Sequence, residues 1–534
     1  MHRCTGHSDR IRIVFYHNHM RHIDPALPNY PTIIHALADA VAQTPDHIAS
    51  ICSGRSLSFA ELGRAVTGLR QRIRAQVPAD SRVMIMLSNS LEMEVAVFAA
   101  MAAQTQVIPA NPFLTERELV SVLNAAEPAL VIYDLKLADK LLPLLRNAGI
   151  DLTLPVNLQD GGTLNKWLET ETAGFPDDLM PAPDKPGLMF LSGGTTGTPK
   201  CVNHLHRGLI TSVRLHVHTW PLNFTRERFL TVAPMYHIWG LGYSVFVPVY
   251  AKSTLVIIPK YNPEAVLQSL HEYKTTVFAG GPAPIYMGLL DHPLIKQADF
   301  SQLKYSLSGG APCPEDLHVQ WEQITGCILY EGWGMSEGAP LCLNPAGFKR
   351  KLGSVGIPVP ETEIRAVHID TRALLATGEV GEIQVRGPHL TTGYRNNPEE
   401  TAALYSDGWL NTGDMGYIDE EGFLFLVDRK KDMAIVGGYN VYPREIDEVL
   451  FNHPKIVEAA ALGAPDKRLG EVIVAFVVLK QGATMTEEEF FSYCNEKLVK
   501  YKRPVAVTFL ESLPRTGANK INKRALKENY HRTG

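Results

Sequence analysis

Residues 188–200 read LMFLSGGTTGTPK, an apolar stretch that runs directly into a loop of glycine and threonine ending in Lys200. Glycines let backbone amides approach an anion closely. The threonine hydroxyls add donors, and the lysine adds a compact positive charge suited to phosphate. The loop lacks the Gly-Lys-Ser/Thr ending of the common P-loop. The stretch therefore predicts a strand followed by a phosphate cradle of another type, with the N-terminus of a helix at about 204–220 assisting it.

The chain before this loop alternates helix and strand signals. Ser58 with Glu61, and Thr115 with Glu118, have the spacing of capping boxes at helix starts. The other segments that carry this pattern are a helix at 92–103 and apolar strands at 83–89, 106–110 and 129–134. Short apolar strands separated by helices favour an α/β fold with parallel-type sheets.

The pattern changes towards the C-terminal end. Short strands between glycine turns predict a β-rich, barrel-like subdomain at about 350–427, the last part of a large N-terminal domain of residues 20–427. The charged run DRKKD at 428–432 is interpreted as a hinge, and residues 433–534 as a small mobile α+β domain. Residues 1–19 contain four histidines and no apolar core of a secretion signal, so we predict a disordered leader.

Composition narrows the class of protein. With 534 residues, 45% of them hydrophobic and 20% charged, the chain has an ordinary globular composition and enough length for several cores. A net charge of −5 does not fit a general nucleic-acid binder, and no apolar run approaches the ~18 residues that span a bilayer. Seven widely spaced cysteines without a Cys-x-x-Cys pair favour buried reduced thiols and a cytoplasmic location.

A series of motifs along the chain resembles one family. SGGTTGTPK is similar to the signature loop of adenylate-forming enzymes, which include acyl-CoA synthetases, aryl-CoA ligases, beetle luciferases and the adenylation domains of peptide synthetases. The other motifs of that family follow in its order: APMYHIWG (233–240), SGGAP (308–312), YEGWGMSE (330–337), GWLNTGD (408–414), DRKKDMAIVGGYNVYPREIDE (428–448) and PRTGANKINK (514–523). The runs VDRKKDM and NVYPREI resemble bacterial fatty acyl-CoA ligases most closely.

The resemblance implies a reaction in two steps. A carboxylic acid attacks the α-phosphate of ATP, which forms acyl-AMP and releases pyrophosphate, and the thiol of coenzyme A then displaces AMP. Both steps pass through highly charged states, so catalysis depends on positioning and electrostatic stabilisation. ATP, Mg²⁺ and coenzyme A are the expected cofactor and co-substrates. The groups for the two steps lie beyond 428, which implies that the small domain rotates between them about Lys431.

The resemblance also implies a role for each matching residue. Lys520 would bridge the acid and the α-phosphate, and Glu337 would bind Mg²⁺; with His237 and Lys200 they form the catalytic set. In the nucleotide site, Trp333 would lie on the adenine and Ser336 would contact the α-phosphate. Asp414 and Arg429 would reach the ribose. The full set of nucleotide-binding residues would be Ser192, Gly193, Gly194, Thr195, Thr196, Gly197, Thr198, Lys200, Gly309, Gly310, Ala311, Pro312, Trp333, Gly334, Ser336, Asp414 and Arg429. The acyl pocket would consist of His237, Ile238, Trp239, Gly240, Gly280, Gly281 and Pro282, with the glycines opening space. The pantetheine tunnel would be lined by Gly437, Gly438 and Tyr439.

The expected pocket indicates the class of acid. Its residues are small or apolar apart from His237, and none is an Asp or Arg that could pair with an amino group or a second carboxylate. A medium- or long-chain fatty acid fits best, and an aryl or branched acid is the alternative.

Wider alternatives also remain. They are an acyl-AMP ligase that loads a separate carrier protein, a luciferase-like oxygenase, and a non-catalytic protein that binds nucleotide or acyl-CoA. The retention of Glu337 and Lys520 argues against the last of these. The sequence leaves open a homodimer and a peripheral membrane contact.

Three positions depart from the pattern of the family. Cys201 and Asn519 stand where glycine is common, and Asp428 replaces the usual glycine before Arg429. Asparagine tolerates a positive φ better than other residues that have a side chain. Cysteine does not, so we expect Cys201 at negative φ.

Overall fold

The computed structural model of the chain describes a set of segments that covers most of the sequence. These segments are residues 22–159, 161–170, 175, 180–192, 199–311, 313–515 and 521–533, with side chains described up to residue 530. The predicted leader, residues 1–19, lies outside them.

The described residues form two compact units. The first comprises the chain up to Glu363 together with Arg386–Leu410. The second comprises Ile364–Val385 and the chain from Asn411 onwards. The chain therefore passes between the units three times. The predicted hinge at 428–432 lies within the second unit, and its role as a hinge stays a prediction.

The helices and strands have the following bounds. The helices are Ile33–Gln43, Phe59–Arg74, Leu91–Ala102, Glu116–Ala126, Ala138–Asn147, Gly162–Leu168, His206–Thr219, Phe246–Tyr250, Pro263–Glu272, Ala283–Leu290, Glu315–Thr325, Pro398–Leu404, Pro443–Phe451, Glu487–Lys497 and Lys523–Thr533. Short 3₁₀ turns are Leu135–Leu137, Pro293–Lys296 and Lys500–Lys502, and a π-helical turn is Trp239–Tyr243. The strands are β1 Ile48–Cys52, β2 Arg55–Ser58, β3 Arg82–Met86, β4 Gln106–Pro109, β5 Leu130–Asp134, β6 Thr153–Val156, β7 Pro186–Ser192, β8 Lys200–Leu205, β9 Arg228–Thr231, β10 Thr254–Ile257, β11 Val277–Gly281, β12 Tyr305–Gly309, β13 Leu329–Met335, β14 Gly338–Leu343, β15 Ile357–Pro358, β16 Glu363–Val367, β17 Gly381–Arg386, β18 Tyr405–Ser406, β19 Trp409–Ile418, β20 Leu424–Arg429, β21 Ala434–Val436, β22 Tyr439–Val441, β23 Ile456–Asp466, β24 Gly470–Leu479 and β25 Ala506–Phe509.

Two mainly parallel sheets form the frame of the first unit. One has the strand order β15-β14-β13-β12-β11-β9-β10-β1-β2, and the other the order β6-β5-β3-β4-β7-β8. Most neighbours are parallel, such as β11 with β12, β3 with β4 and β5 with β6, whereas β1/β2, β13/β14, β14/β15 and β7/β8 are antiparallel. Parallel neighbours need crossover connections, and helices in those connections cover the sheets. This confirms the predicted α/β fold.

The local signals at helix starts are also confirmed. Ser58 and Glu61 form a reciprocal capping box at the start of Phe59–Arg74. Thr115 and Glu118 do the same at the start of Glu116–Ala126. In each pair the side chains satisfy backbone donors that the first helical turn leaves without partners.

The second unit contains two smaller sheets. In one, β16, β17 and β19 are neighbours and β20 pairs with β19. In the other the order is β22-β21-β24-β23, with β25 on β24. The helices Pro443–Phe451 and Glu487–Lys497 supply apolar side chains to the core of that second sheet. These elements confirm the predicted β-rich and α+β character of this part of the chain.

Two further predictions concern thiols and membranes. The six described cysteines are buried free thiols, as predicted, and Cys4 lies outside the described residues. Within the described segments, every helix is too short or too polar to cross a bilayer. A cytoplasmic location stays a prediction.

Candidate active site

The phosphate-loop motif lies in a β-hairpin of the first unit. β7 and β8 run antiparallel, and Ser192 at the end of one faces Lys200 at the start of the other. This confirms the predicted strand before the loop and fixes both ends of the loop. The loop residues Gly193, Gly194, Thr195, Thr196, Gly197 and Thr198 lie outside the described residues.

The helix predicted at about 204–220 is present, but a strand that was not predicted separates it from the loop. It spans His206–Thr219, and the strand Lys200–Leu205 lies between it and the loop. Six extended residues cover roughly 20 Å. The expectation that this helix N-terminus assists the phosphate loop is therefore wrong. Cys201 lies in the intervening strand and is not among the residues of positive φ, as predicted.

A later segment of the chain, Thr391–Arg395, follows the free edge of β8. Three backbone hydrogen bonds of 2.9–3.2 Å join it to Cys201 and Asn203. Val202 forms a β-bridge with Tyr394. Because β8 is the last strand of its sheet, this segment covers an otherwise open edge.

Tyr394 connects the two motif residues Lys200 and Glu337. Its hydroxyl donates to Oε1 of Glu337 at 2.7 Å, and Nζ of Lys200 lies 4.8 Å from the centre of its ring. Nζ of Lys200 also pairs with Oε2 of Glu400 at 2.6 Å. Burial, reinforced by the Glu337 carboxylate, raises the pKa of Tyr394 far above its ordinary value. The hydroxyl therefore stays protonated and remains a donor.

The backbone around Glu337 is held as well. The amide of Thr391 donates to the Glu337 carbonyl at 2.7 Å. Nε2 of His204 lies 2.7 Å from the carbonyl oxygen of Ser336, which can only accept, so Nε2 carries the hydrogen. Burial lowers the pKa of His204 to about 4, which keeps the ring neutral. The carboxylate of Glu337, only 7% exposed as a residue, is thus held in one orientation near Lys200.

The second glycine motif ends strand β12. Gly310 has a φ of +81°, a conformation that favours glycine. A Cβ on Gly309 would lie 3.0 Å from the carbonyl oxygen of Gly332, so glycine allows β13 to approach closely. Ala311 follows and is partly exposed, whereas Pro312 lies outside the described residues. The motif therefore provides a backbone surface at the end of a parallel strand, where ligands commonly bind in open α/β sheets.

The motif EGWGMSE forms a strand that ends in a hairpin turn. Trp333 on β13 faces Cys342 on β14 and is 8% exposed. A Cβ on Gly334 would lie 2.7 Å from the Cβ of Ala339, so glycine is needed there for the two strands to pack. Ser336 and Glu337 follow at the turn, which presents both side chains at the same end of the hairpin.

The expected acyl pocket is centred on Trp239. Its ring lies 3.5 Å from the Cβ position of Gly309 and 3.8 Å from that of Gly281. It stacks on Tyr243 with ring centres 5.4 Å apart. The backbone from Trp239 to Tyr243 is a π-helical turn, a feature that is common at functional sites. The structure thus brings the aromatic motif and two of the glycine motifs together.

The glycines of this pocket have different roles from those expected. A Cβ on Gly240 would lie 2.0 Å from the carbonyl oxygen of Pro234. A Cβ on Gly280 would lie 2.7 Å from the hydroxyl of Tyr286. Protein atoms fill both positions, so the expectation that Gly240 and Gly280 open space for the acid is wrong. A Cβ on Gly281 would lie 3.8 Å from the Trp239 ring, an ordinary van der Waals contact, so its φ of +96° is what favours glycine there.

His237 is held by its own turn. Its Nδ1 accepts from the amide of Trp239 at 3.3 Å, so the neutral ring carries its hydrogen on Nε2. The residues before it are fixed by Asn89, whose side chain donates to the Ala233 carbonyl at 2.9 Å and accepts from the Met235 amide at 2.8 Å. Ile238 and Pro282 adjoin this turn and the helix Ala283–Leu290 in the chain.

The second unit pairs the two residues expected at the ribose. Asp414 and Arg429 are register partners on β19 and β20, and Nε of Arg429 lies 3.2 Å from Oδ1 of Asp414. Asp414 is buried, whereas the arginine side chain is half exposed. The structure therefore places these two candidates side by side.

The predicted hinge follows directly. Asp428 accepts from the amides of Arg429 and Arg444 at 2.7 and 2.9 Å, and burial raises its pKa. Arg429 and Asp432 close a turn that leaves Lys431 exposed.

The expected tunnel residues form a tight exposed turn. Gly437 and Gly438, with φ of +57° and +87°, connect β21 and β22. Tyr439 is 59% exposed and stacks on Tyr501 with ring centres 4.6 Å apart. Lys520, the lysine expected to bridge the acid and the α-phosphate, lies outside the described residues.

Sequence reasoning missed three residues that support the site. Tyr394 and Glu400 lie 194 and 200 residues after Lys200 in the chain, and Asn89 lies 144 residues before Ala233. No local spacing indicates such contacts. The run GYRNNPEET at 393–401 indicates only a helix start, which Asn397 caps.

Comparison with known proteins agrees with these features. The AMP-binding enzyme family matches residues 37–395, and the AMP-binding enzyme C-terminal domain matches residues 445–520. The long-chain-fatty-acid–CoA ligase of Bacillus subtilis (strain 168) is 35% identical, with 97% of this chain and 98% of that protein covered.

Two solved structures have the same fold. One is ATP-bound MatB from Rhodopseudomonas palustris, which is 28% identical with a TM-score of 0.87 and coverage of 94% of this chain and 99% of that chain. The other is o-succinylbenzoate coenzyme A synthetase (MenE) from Bacillus subtilis with ATP and magnesium ion, which is 29% identical with a TM-score of 0.80 and coverage of 92% and 99%. From its motifs, its fold and these matches, the chain belongs to the AMP-binding enzyme family.

Proposed function

We propose that the protein is an ATP-dependent, AMP-forming acyl-CoA synthetase that acts on a medium- or long-chain fatty acid. The carboxylate oxygen attacks the α-phosphorus of ATP, the bond to the β-phosphate oxygen breaks, and acyl-AMP and pyrophosphate result. The sulfur of coenzyme A then attacks the acyl carbon and AMP leaves. The observation that carries the proposal is the cluster of Lys200, Tyr394 and Glu337, because it holds a cation and a carboxylate at the end of the phosphate-loop hairpin.

Lys200 is proposed to bind the β- and γ-phosphates together with Ser192 and the loop residues 193–198. In the structure its ammonium is paired with Glu400 at 2.6 Å. A triphosphate carries more negative charge than one carboxylate, so ATP can replace Glu400 as the partner of Lys200. The aromatic ring of Tyr394 remains in place as a second contact for the cation.

Glu337 is proposed to bind Mg²⁺. Its donor is a hard carboxylate oxygen, and the hydrogen bond from Tyr394 to Oε1 fixes the orientation of the group, so the residues present fit this ion. When bound, Mg²⁺ would offset negative charge on the phosphates. Ser336, next in the chain, is proposed to donate to the α-phosphate.

The remaining nucleotide contacts are assigned by resemblance and supported by geometry within each unit. The backbone of residues 309–312 and the ring of Trp333 are proposed to bind the adenine. Asp414, with Arg429 beside it, is proposed to accept from the ribose hydroxyls. Lys520 is proposed to offset the charge that builds on the α-phosphate and the attacking acid.

The proposed acid rests on the lining of the pocket and on the named relative. The ring of Trp239 is partly exposed and packs over the buried Tyr243 and Gly281, and none of the expected lining residues carries a charge that would pair with a second polar group. The Bacillus subtilis relative is named for long-chain fatty acids. An aryl or branched acid remains the alternative for the same apolar lining.

The second step is proposed to use the exposed turn of Gly437, Gly438 and Tyr439 for pantetheine, after rotation at Lys431. Two glycines of positive φ place backbone amides at the surface with no side chain in the way. Coenzyme A as acceptor distinguishes this proposal from a ligase that loads a carrier protein.

The test is pyrophosphate release with Mg-ATP across acids from acetate to palmitate, with benzoate, cinnamate and branched acids, and with or without coenzyme A. Products are identified by mass spectrometry. We expect a thioester that requires coenzyme A, with highest turnover for a medium or long chain, and loss of pyrophosphate release in Lys200→Ala. Acyl-AMP that accumulates regardless of coenzyme A would instead indicate a carrier-protein acceptor, and preference for cinnamate an aryl-CoA ligase.

A further inference from the structure

Three side chains that commonly bind metals meet in the interior of the first unit. Cys313, His318 and Glu331 are 6%, 3% and 5% exposed. One ligand atom from each lies within 4.8 Å of the others. They come from the loop after β12, from the helix Glu315–Thr325 and from β13. The proposed nucleotide and acyl sites use none of the three.

One ring nitrogen of His318 directs its lone pair towards Glu331. Its Nδ1 lies 3.0 Å from the carbonyl oxygen of Leu329, which can only accept, so Nδ1 carries the hydrogen. Nε2 points the other way and lies 3.5 Å from Oε2 of Glu331. It makes no hydrogen bond to any residue in the described part of the chain. A histidine that binds a metal has this arrangement, with its second nitrogen donating to a backbone carbonyl.

The set of donors selects a class of cation. A buried ring nitrogen and a buried carboxylate oxygen that face each other are unfavourable unless a proton or a cation lies between them. Sulfur, imidazole nitrogen and carboxylate oxygen together suit Zn²⁺, whereas Mg²⁺ takes oxygen ligands. Ser308 is the register partner of Glu331 on the neighbouring strand, and its buried hydroxyl has no hydrogen-bond partner among the described residues, so it is a candidate for a fourth ligand.

We propose that Cys313, His318 and Glu331 bind one divalent cation of the zinc class, separate from the Mg²⁺ site at Glu337. On binding, the thiol of Cys313 loses its proton to solvent and a metal–sulfur bond forms, with no change of oxidation state. Through Cys313 the cation would hold the end of the segment 309–312, which is proposed to bind the adenine. Through Glu331 it would hold β13. It would hold these elements together without contacting the reacting atoms.

The test uses the full-length protein with Co²⁺ as a spectroscopic probe. A thiolate bound to Co²⁺ gives an intense near-ultraviolet charge-transfer band, which a site of oxygen ligands does not. We expect one equivalent of Co²⁺ per chain, this band, and its loss on addition of one equivalent of Zn²⁺. Excess Mg²⁺ should leave the band unchanged.

Matched variants identify the ligands. Cys313→Ser and His318→Gln should abolish or strongly weaken the band. Cys327→Ser should retain it, because that thiol is also buried but lies against the Ser306 hydroxyl and the Ile328 carbonyl, outside the cluster. Cys4→Ser should also retain it, which separates the site from the histidine-rich leader.

Each contrary outcome overturns the proposal. Wild-type protein that binds no Co²⁺ or Zn²⁺ at micromolar concentration would show that the three side chains do not form a metal site. A band that persists in Cys313→Ser, or disappears in Cys4→Ser, would place the thiolate elsewhere. If Cys313→Ser does not fold, the melting temperature of the wild type decides, since Zn²⁺ must raise it and a chelator must reverse the rise.

Discussion

The Glu337 cluster and the turn at 437–439 are proposed to serve the two steps of one reaction, and they are built in opposite ways. Around Glu337, buried side chains hold each other, with Tyr394 between a cation and a carboxylate. At 437–439, two glycines and an exposed tyrosine form a turn whose backbone is open. Fixed polar groups are needed to stabilise the negative charge of the phosphates. The narrow pantetheine arm of coenzyme A needs only backbone contacts and an open path. Changes in the two regions should therefore affect different steps.

The largest expected effect is from Glu337→Gln. The substitution keeps the shape and the acceptor for Tyr394 but removes the charge that Mg²⁺ requires. We expect acyl-AMP formation to fall by about 10²–10³-fold. Single-turnover assays over a range of Mg²⁺ concentration measure this, with Glu361→Gln, at an exposed glutamate outside the cluster, as control. Near-normal rates at ordinary Mg²⁺ would refute the proposed metal role.

Next in size is Lys431→Pro, in the predicted hinge that precedes the turn at 437–439. Proline fixes φ, so rotation at this position is blocked while the first step stays intact. We expect thioester formation to fall by roughly 10²-fold, since misplaced groups cost about this much. Acyl-AMP formation should change little. Lys431→Ala, which removes only the charge, is the control. Equal loss of both half-reactions in single-turnover assays would count against a hinge here.

Tyr394→Phe examines the link inside the Glu337 cluster. The ring remains beside Lys200, but Glu337 loses a hydrogen bond. A hydrogen bond to a charged group contributes about 1.5 kcal/mol, so we expect roughly a tenfold slower first step. The half-saturating Mg²⁺ concentration should rise as well. Tyr405→Phe is the matched control, because its hydroxyl donates to the Thr391 carbonyl. If both variants behave alike, Tyr394 is a structural residue only.

The smallest effect is expected from Glu400→Gln. It removes the carboxylate that pairs with Lys200 at 2.6 Å and competes with ATP. Because the pair is partly exposed, we expect KM for ATP to fall only about two- to fivefold, with kcat unchanged. ATP-dependent pyrophosphate exchange measures this. A higher KM would show that Glu400 positions Lys200 for ATP instead of competing with it.

Much of the fold was readable from the sequence because its signals are local. The capping boxes at Ser58 and Thr115 and the strand before the phosphate loop depend on neighbouring residues, and all three are confirmed. The helix predicted at about 204–220 is observed at His206–Thr219, but the strand Lys200–Leu205 before it was not predicted. Local pattern cannot distinguish a strand-loop-helix from a hairpin followed by a helix.

The candidate site was less predictable because its supports are distant in the chain. Tyr394 reaches Glu337 across 57 residues. Gly240 and Gly280 were expected to open space, but their Cβ positions are filled by Pro234 and Tyr286, which only tertiary packing reveals. The sequence shows that a glycine has no side chain. It does not show whether a ligand or another part of the protein occupies that space.

The three crossings of the chain between the units have a consequence for shortened forms of the protein. A fragment that ends at Glu363 would retain both large sheets but lose residues 386–410. Those residues carry the segment that pairs with β8 at Cys201 and Asn203. The fragment would expose a bare strand edge, which invites pairing with a second copy. It should therefore aggregate through β8, an edge that a fragment extending to Leu410 would keep covered.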